Sequence, residues 1–169
     1  MEEAPLSYHI VLTLHNARTS QRMRQFKVFK ESVKYLSLTQ EIELTRIFKS
    51  VINELKLKCY AYNVCKDHVH LIIQCKEEDL VETIRKLKGK TAYLYNRATG
   101  SNGPFWSQKF FMANLDDWSI TIARPVAFSL NSSYFLNAVA YIKDNRIKHD
   151  LPESDVLNRI IGSFVIRVG

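Results

Sequence analysis

A chain of 169 residues, 46% hydrophobic and 24% charged, has the make-up of one soluble globular domain with a substantial core. No apolar run reaches the length of a membrane span, and Met1-Glu2-Glu3-Ala4-Pro5 has neither the basic end nor the apolar run of a signal peptide, so a cytoplasmic protein is expected. Three cysteines inside apolar patterns, Cys59, Cys65 and Cys75, argue against a disulfide framework or a cysteine-held zinc. The 24 Lys+Arg against 17 Asp+Glu give +7 and favour a polyanionic partner, nucleic acid before membrane.

Residues 8–14 alternate as a first strand, with Tyr8, Ile10, Leu12 and Leu14 on one face and His9, Val11, Thr13 and His15 on the other. Residues 16–25 break the pattern with Arg18, Arg22 and Arg24, a basic loop as well suited to plain solvent as to DNA contact. Residues 26–36 read as loop with a short helix. Thr39 is placed to cap a helix whose apolar spacing runs from Ile42 to Leu55. A second strand at 58–65 and a third at 68–75 are joined tightly by Lys66-Asp67, which predicts a hairpin.

Asp79 can cap a second helix over residues 80–97, striped by Leu80, Ile84, Leu87, Thr91 and Leu94. Its Arg85, Lys86, Lys88, Lys90, Tyr93 and Arg97 interleave bases with aromatics, which suits a single-stranded backbone and equally a solvated helix face. After a turn at 100–104, residues 105–112 predict an aromatic fourth strand, in which Lys109 is a further candidate DNA contact. Residues 116–130 are irregular, with an extra strand at 118–122 and Pro125 opposing a helix. Asn131, Ser132 or Ser133 can cap a last major helix over 134–148, and a tail, 155–169, packs back as a short helix or strand. With no repeat and no linker, residues 1–169 form one domain, core about 8–151 and tail 152–169. The order βαββαβ is that of a ferredoxin-like antiparallel sheet, an α+β fold. Two helices cover one face, and the additional C-terminal helix is the piece available for the other.

His68-Val69-His70 lies in the third strand, so both imidazoles emerge on one face while Val69, Leu71 and Ile73 take the core face. Two imidazoles can hold one ion but are too few for a closed structural site. On the last helix Tyr141 and Asn145 are four residues apart and share a side. The amide oxygen can be a third ligand and the phenol a nucleophile. Tyr134, seven residues earlier, is a rival nucleophile. His9 and His15 are read as structural or phosphate-contacting, and His149 receives no role.

Three segments carry a resemblance: Asp67-His68-Val69-His70-Leu71-Ile72-Ile73, Gly103-Pro104-Phe105-Trp106-Ser107-Gln108-Lys109-Phe110-Phe111, and Tyr141-Ile142-Lys143-Asp144-Asn145-Arg146-Ile147-Lys148. In this order they resemble single-tyrosine transposases of the HUH endonuclease class, most of all the REP-associated branch. The resemblance spans about residues 8–151. It implies a metal-dependent enzyme that cleaves and rejoins hairpin-associated single-stranded DNA through a 5′-phosphotyrosine link. His68 and His70 match the family's metal pair, Tyr141 its nucleophile and Asn145 its third ligand, with Mg²⁺ or Mn²⁺ as the ion. Monomer and homodimer both fit. A non-catalytic single-strand binder and a relaxase or replication-initiator nickase are the alternatives. The family's usual Asn-Pro is Asn145-Arg146 here, and 116–130 is longer than usual.

Overall fold

Alternating apolar and polar residues build four strands: β1 (Leu6–Thr13), β2 (Lys58–Cys65), β3 (His68–Cys75) and β4 (Phe111–Asn114). In this computed structural model, which describes residues 4–15, 17, 25–26, 35–116 and 131–168 (backbone only for 131–133), they form one antiparallel sheet in the order β2-β3-β1-β4. That is the ferredoxin-like order expected. β3 and β1 are the two inner strands, with Val11 opposite His70 and Thr13 opposite His68.

Helices α1 (Leu38–Glu54) and α2 (Leu80–Thr99) cover one face. There Tyr8, Ile10 and Leu12 of β1 and Val69, Leu71 and Ile73 of β3 bury against Leu44, Phe48 and Val51 of α1 and Ile84 and Leu87 of α2. Each such side chain contributes on the order of 1.5–3 kcal/mol of burial. The other face carries a smaller cluster, in which Ala61 and Ile72 meet Val139 and Ile142 of α3 (Asn131–Lys143). A single helical turn, α4 (Asn145–Lys148), follows, and α5 (Asp155–Gly162) returns to the α1 side through buried Leu157. Beyond it the Ile166 N–H donates to the Cys59 carbonyl at 2.8 Å, so the tail packs back along β2. Among the described residues, no helix is long and apolar enough to cross a membrane.

Several boundaries differ from the sequence expectation, each for a local reason. Ser37, not Thr39, caps α1: its Oγ accepts from Gln40 N at 3.3 Å while Gln40 Oε1 accepts from Ser37 N at 2.8 Å, a closed capping box. Asp79 occupies the cap of α2 but its side chain makes no capping hydrogen bond, because a 3-10 turn over Glu77–Asp79 leads directly into the helix. α2 runs on to Thr99 and stops at Gly100, whose φ of 66° is the left-handed conformation that glycine accepts. The fourth strand is shorter than the expected 105–112. Lys88 Nζ captures the carbonyls of Ser107 (2.7 Å) and Gln108 (3.0 Å), and only Trp106 bridges to Leu14 before β4 begins. The last helix is not continuous over 134–148: it ends at Lys143, Asp144 leaves helical geometry at φ −86°, ψ 1°, and α4 starts anew. Arg18, Arg22, Arg24, the strand at 118–122 and the capping side chains at 131–133 lie outside the described residues.

Candidate active site

His68 and His70 open into a cavity of about 460 Å³ on the α3 face of the sheet. Val11 and Thr13 form its floor beside them, Ser107, Lys109, Phe110 and Phe111 one wall, and Tyr141 and His149 the other. The His68 and His70 rings are 4.9 Å apart, centroid to centroid, and the Tyr141 ring stands 5.7 Å from that of His70.

Each strand histidine is held through its Nδ1. Asp67, in the β2–β3 turn, accepts from or pairs with His68 Nδ1. His70 Nδ1 meets His9 Nε2 at 3.0 Å, because His9 on β1 projects on the same sheet face. A carboxylate on His68 Nδ1 fixes the tautomer that leaves the Nε2 lone pair for an ion, the arrangement usual for metal-bound imidazoles. For His70 the same holds when His9 Nε2 accepts, which requires a neutral His9. Burial keeps the His9 imidazole below its ordinary pKa, in the neutral form. This donor set fits a divalent ion of the Mn²⁺ or Mg²⁺ kind, imidazole favouring the former. The signal for His9 beside His70 was its strand parity with the cavity face.

Tyr141 is carried to the cavity by α3. Val139 and Ile142 anchor the helix on the sheet, and Asn63 of β2 donates from Nδ2 to the carbonyls of Ile142 (2.9 Å) and Lys143 (3.2 Å). Lys148 Nζ stands 4.0 Å from the centre of the Tyr141 ring. Tyr134 packs against the second cluster and does not line the cavity, so of the two tyrosines only Tyr141 meets the histidines.

Asn145 is placed differently from the expectation. It is wholly buried, its Oδ1 accepts from Cys65 Sγ at 3.0 Å, and it is not part of the cavity lining. Its Nδ2 has no hydrogen-bond partner among the described residues. The break at Asp144 turns Asn145 and Arg146 inward, where Arg146 bonds Glu41 (2.9 Å), the Val64 carbonyl (2.8 Å) and the Pro152 carbonyl (2.8 Å). His149, one turn further, returns to the cavity: its ring is 5.2 Å from that of His68. Ligand atoms of Cys65, His68 and His149 all lie within 4.8 Å of one another. Tyr141, Asn145 and His149 are spaced four and four, so the signal for His149 was present as a third member of one helical side.

Of the candidate DNA contacts, Lys109 lines the cavity. Arg85, Lys86, Lys88, Lys90, Tyr93 and Arg97 belong to α2, across the sheet from the histidines. Arg85 and Lys86 pair with Glu82, Lys90 with Glu54, and Lys88 holds the 107–108 wall.

Residues 4–124 match the model of the family described as IS200-like transposases. The match includes both strand histidines and ends before Tyr141. Among solved structures, the chain is similar to a REP-associated tyrosine transposase bound to a REP hairpin, at 18% identity and a TM-score of 0.54, over 87% of this chain and 70% of that one. It is also similar to a provisionally assigned transposase from Deinococcus radiodurans, at 16% identity and a TM-score of 0.50, over 81% and 93%. At these identities the likeness is one of fold. No curated protein matches.

Proposed function

Because the chain belongs to the family of IS200-like transposases, we propose that it cuts and rejoins single-stranded DNA, with Tyr141 as nucleophile and an ion held by His68 and His70. The observation that carries this reading is the Tyr141 ring standing 5.7 Å from His70 across one cavity. A bound Mg²⁺ or Mn²⁺ would neutralise charge on the scissile phosphate and polarise its phosphorus. His68 and His70, steadied through Nδ1 by Asp67 and His9, would hold the ion with the other ring nitrogen.

A phenol, with a pKa of about 10, is a weak nucleophile until its proton is removed or its anion is stabilised. The Lys148 ammonium lies over the Tyr141 ring, a cation–π contact that holds the phenol in place. The Tyr141 oxygen forms a bond to phosphorus, the bond from phosphorus to the 3′ oxygen breaks, and that oxygen gains a proton as the phenol loses its own. The products are a 5′-phosphotyrosine and a 3′-hydroxyl. Attack by a 3′-hydroxyl reverses the step and releases the tyrosine. One phosphodiester is exchanged for another, so no nucleotide has to be hydrolysed.

Lys109 and Phe111 at the cavity rim offer charge and an aromatic face to an unpaired strand. The hairpin bound by the REP-associated relative supports an imperfect hairpin as substrate. Since α3 packs on the sheet of its own chain, Tyr141 serves the histidines of the same subunit, and a monomer suffices, one domain over residues 1–169, working in the cytoplasm.

The test is incubation with labelled hairpin-bearing single-stranded DNA and Mn²⁺ or Mg²⁺, followed by denaturing electrophoresis. A covalent adduct is expected from the wild type and none from Tyr141→Phe; an adduct surviving in Tyr141→Phe refutes the nucleophile. Normal cleavage by His68→Ala and His70→Ala refutes the metal pair. Preference for duplex DNA refutes the substrate class.

A further inference from the structure

We infer that Cys65, His68 and His149 form a separate site for a soft divalent ion, Zn²⁺, which shares His68 with the reactive pair and shuts the enzyme off when filled. The site replaces none of the ligands of the proposed reaction, and only its shut-off effect rests on that reading. Cys65 is the last residue of β2 and His68 the first of β3, and the two are direct partners across the strands. Such partners share a sheet face, with Cβ atoms about 4.5–5.5 Å apart. The tight Lys66-Asp67 turn therefore makes Cys-x-x-His a two-ligand clip, a spacing that zinc-ligand pairs commonly take. The third ligand comes from the end of α4, where the His149 ring lies 5.2 Å from that of His68. One ligand atom from each of the three lies within 4.8 Å of the others. Tetrahedral zinc needs them about 1 Å closer, and His149, exposed at the helix end, has room to close in.

Without an ion, burial pushes the Cys65 thiol up to about 12, so it stays protonated and donates to Asn145 Oδ1 at 3.0 Å. When zinc binds, a Zn–S bond forms, the S–H bond breaks and the proton leaves to solvent, since a coordinating thiol is deprotonated outright. The buried Asn145 Nδ2 has no hydrogen-bond partner among the described residues, and it can donate to the thiolate once the amide turns over. Hard Mn²⁺ and Mg²⁺ gain little from sulfur, whereas thiolate with imidazole selects zinc. With Nδ1 engaged by Asp67, His68 has one nitrogen for an ion. Zinc on the Cys65 side and the catalytic ion on the His70 side therefore exclude each other. No Cys-x-x-Cys pair announces the site, which is why the sequence argues against cysteine-held zinc. The clip gains its third member only on folding.

The experiment loads metal-free wild type with one equivalent of Zn²⁺ and reads its ligands by zinc X-ray absorption. One sulfur at about 2.3 Å and two imidazoles are expected. Zn²⁺ affinity, measured against a chromophoric chelator, should fall at least about tenfold in Cys65→Ser and in His149→Ala, since even an outer partner of a ligand is worth about 10–100-fold. His70→Ala should leave it unchanged. In the gel assay, Zn²⁺ should suppress the adduct formed with Mn²⁺. Cys65→Ser, which keeps a donor for Asn145, should still form the adduct and need at least about tenfold more Zn²⁺ for the same suppression. Zinc bound without sulfur, or affinity lost with His70 and kept without Cys65, overturns the site; should a variant not fold, the wild-type sulfur count decides alone. Zinc bound through sulfur with adduct formation undiminished overturns the shut-off. If wild type forms no adduct with Mn²⁺ at all, the reading of the reaction fails, and the sulfur count still decides the zinc site.

Discussion

Replacing Glu41 with Ala should destabilise the fold by about 2–4 kcal/mol, and the structure says where that comes from. Glu41 on α1 and Arg146 on α4 are 2% and 3% exposed and meet at 2.9 Å, a contact spanning 105 residues of sequence. Without the carboxylate, the guanidinium stays buried with no countercharge, a situation that costs about 3–5 kcal/mol in comparable pairs. Two features reduce the figure. Arg146 keeps its acceptors on Val64 and Pro152, and Glu41 Oε1, which has no hydrogen-bond partner among the described residues, is removed along with its own cost of about 1 kcal/mol. Burial already pushes the Glu41 carboxyl above its ordinary pKa, against the pull of Arg146, so the pair is held at some expense.

Urea unfolding at pH 7 of Glu41→Ala, Glu41→Leu, Arg146→Met and the double variant Glu41→Leu/Arg146→Met, the last three closing a cycle, measures this directly. The double variant should be the more stable of the two Arg146 variants, because no charge is left behind in the apolar interior. A coupling energy of about 1.5 kcal/mol or more is expected. If Glu41→Ala costs under about 1 kcal/mol, or the two changes add within about 0.5 kcal/mol, the pair is not the tie between core and α4 described above.

Other expectations rest on single contacts. Asn63→Ala removes the donor for the Ile142 and Lys143 carbonyls and should cost about 1–3 kcal/mol in urea unfolding, with adduct formation falling more than Mn²⁺ affinity. His9→Ala removes the partner of His70 Nδ1, and a ring against Tyr141, and should weaken Mn²⁺ binding about 10–100-fold by calorimetry. Lys148→Gln should slow adduct formation roughly fivefold in the gel assay without changing Mn²⁺ affinity. Burial raises the Cys59 thiol to about 12, so its contribution to stability is complete below the unfolded value of about 8.5–9 and is lost as pH rises toward the folded one. Between pH 8 and pH 10 wild type should therefore lose about 1.5–2 kcal/mol more than Cys59→Ala in urea unfolding.

What the sequence made legible is what depends on short-range periodicity. The parity of His9, His68 and His70, the hairpin at Lys66-Asp67 and the stripe of α2 all follow from spacings of two and of three to four, and strand order followed from the sequence of elements. Tyr141 reached the cavity for the same reason: its register on α3 is set by Val139 and Ile142. Spacing failed where long-range contacts override it. Nothing in residues 105–112 reveals that Lys88, nineteen residues before Ser107, will take carbonyls a strand would have used. Nor does the basic run of α2 reveal that Lys90 pairs with Glu54 of α1, whereas the pairing of Arg85 and Lys86 with Glu82 follows from spacing.

The break at Asp144 is the most consequential of these departures, because a continuous helix would keep Asn145 on the side of Tyr141 and at the same depth. In this chain Asn145 is followed by Arg146 and not by a proline. A proline limits a helix by withholding a donor and by its ring. Arg146 acts by attraction: its hydrogen bonds to Glu41, Val64 and Pro152 draw the chain into the core just after the helix ends. Asn145, beside it, is drawn in as well, its Oδ1 accepting from Cys65 Sγ, and the next turn carries His149 out to His68. The inward hold on Arg146 and the placement of an imidazole at the cavity are then two ends of one mechanical arrangement. It follows that Arg146→Met should loosen the His149 ring from that of His68 as well as lower stability, read as loss of the NMR contact between the two imidazoles, whereas a purely stabilising residue would alter only stability. An unchanged contact between His68 and His149 in folded Arg146→Met would separate the two ends and leave the position of His149 without a cause.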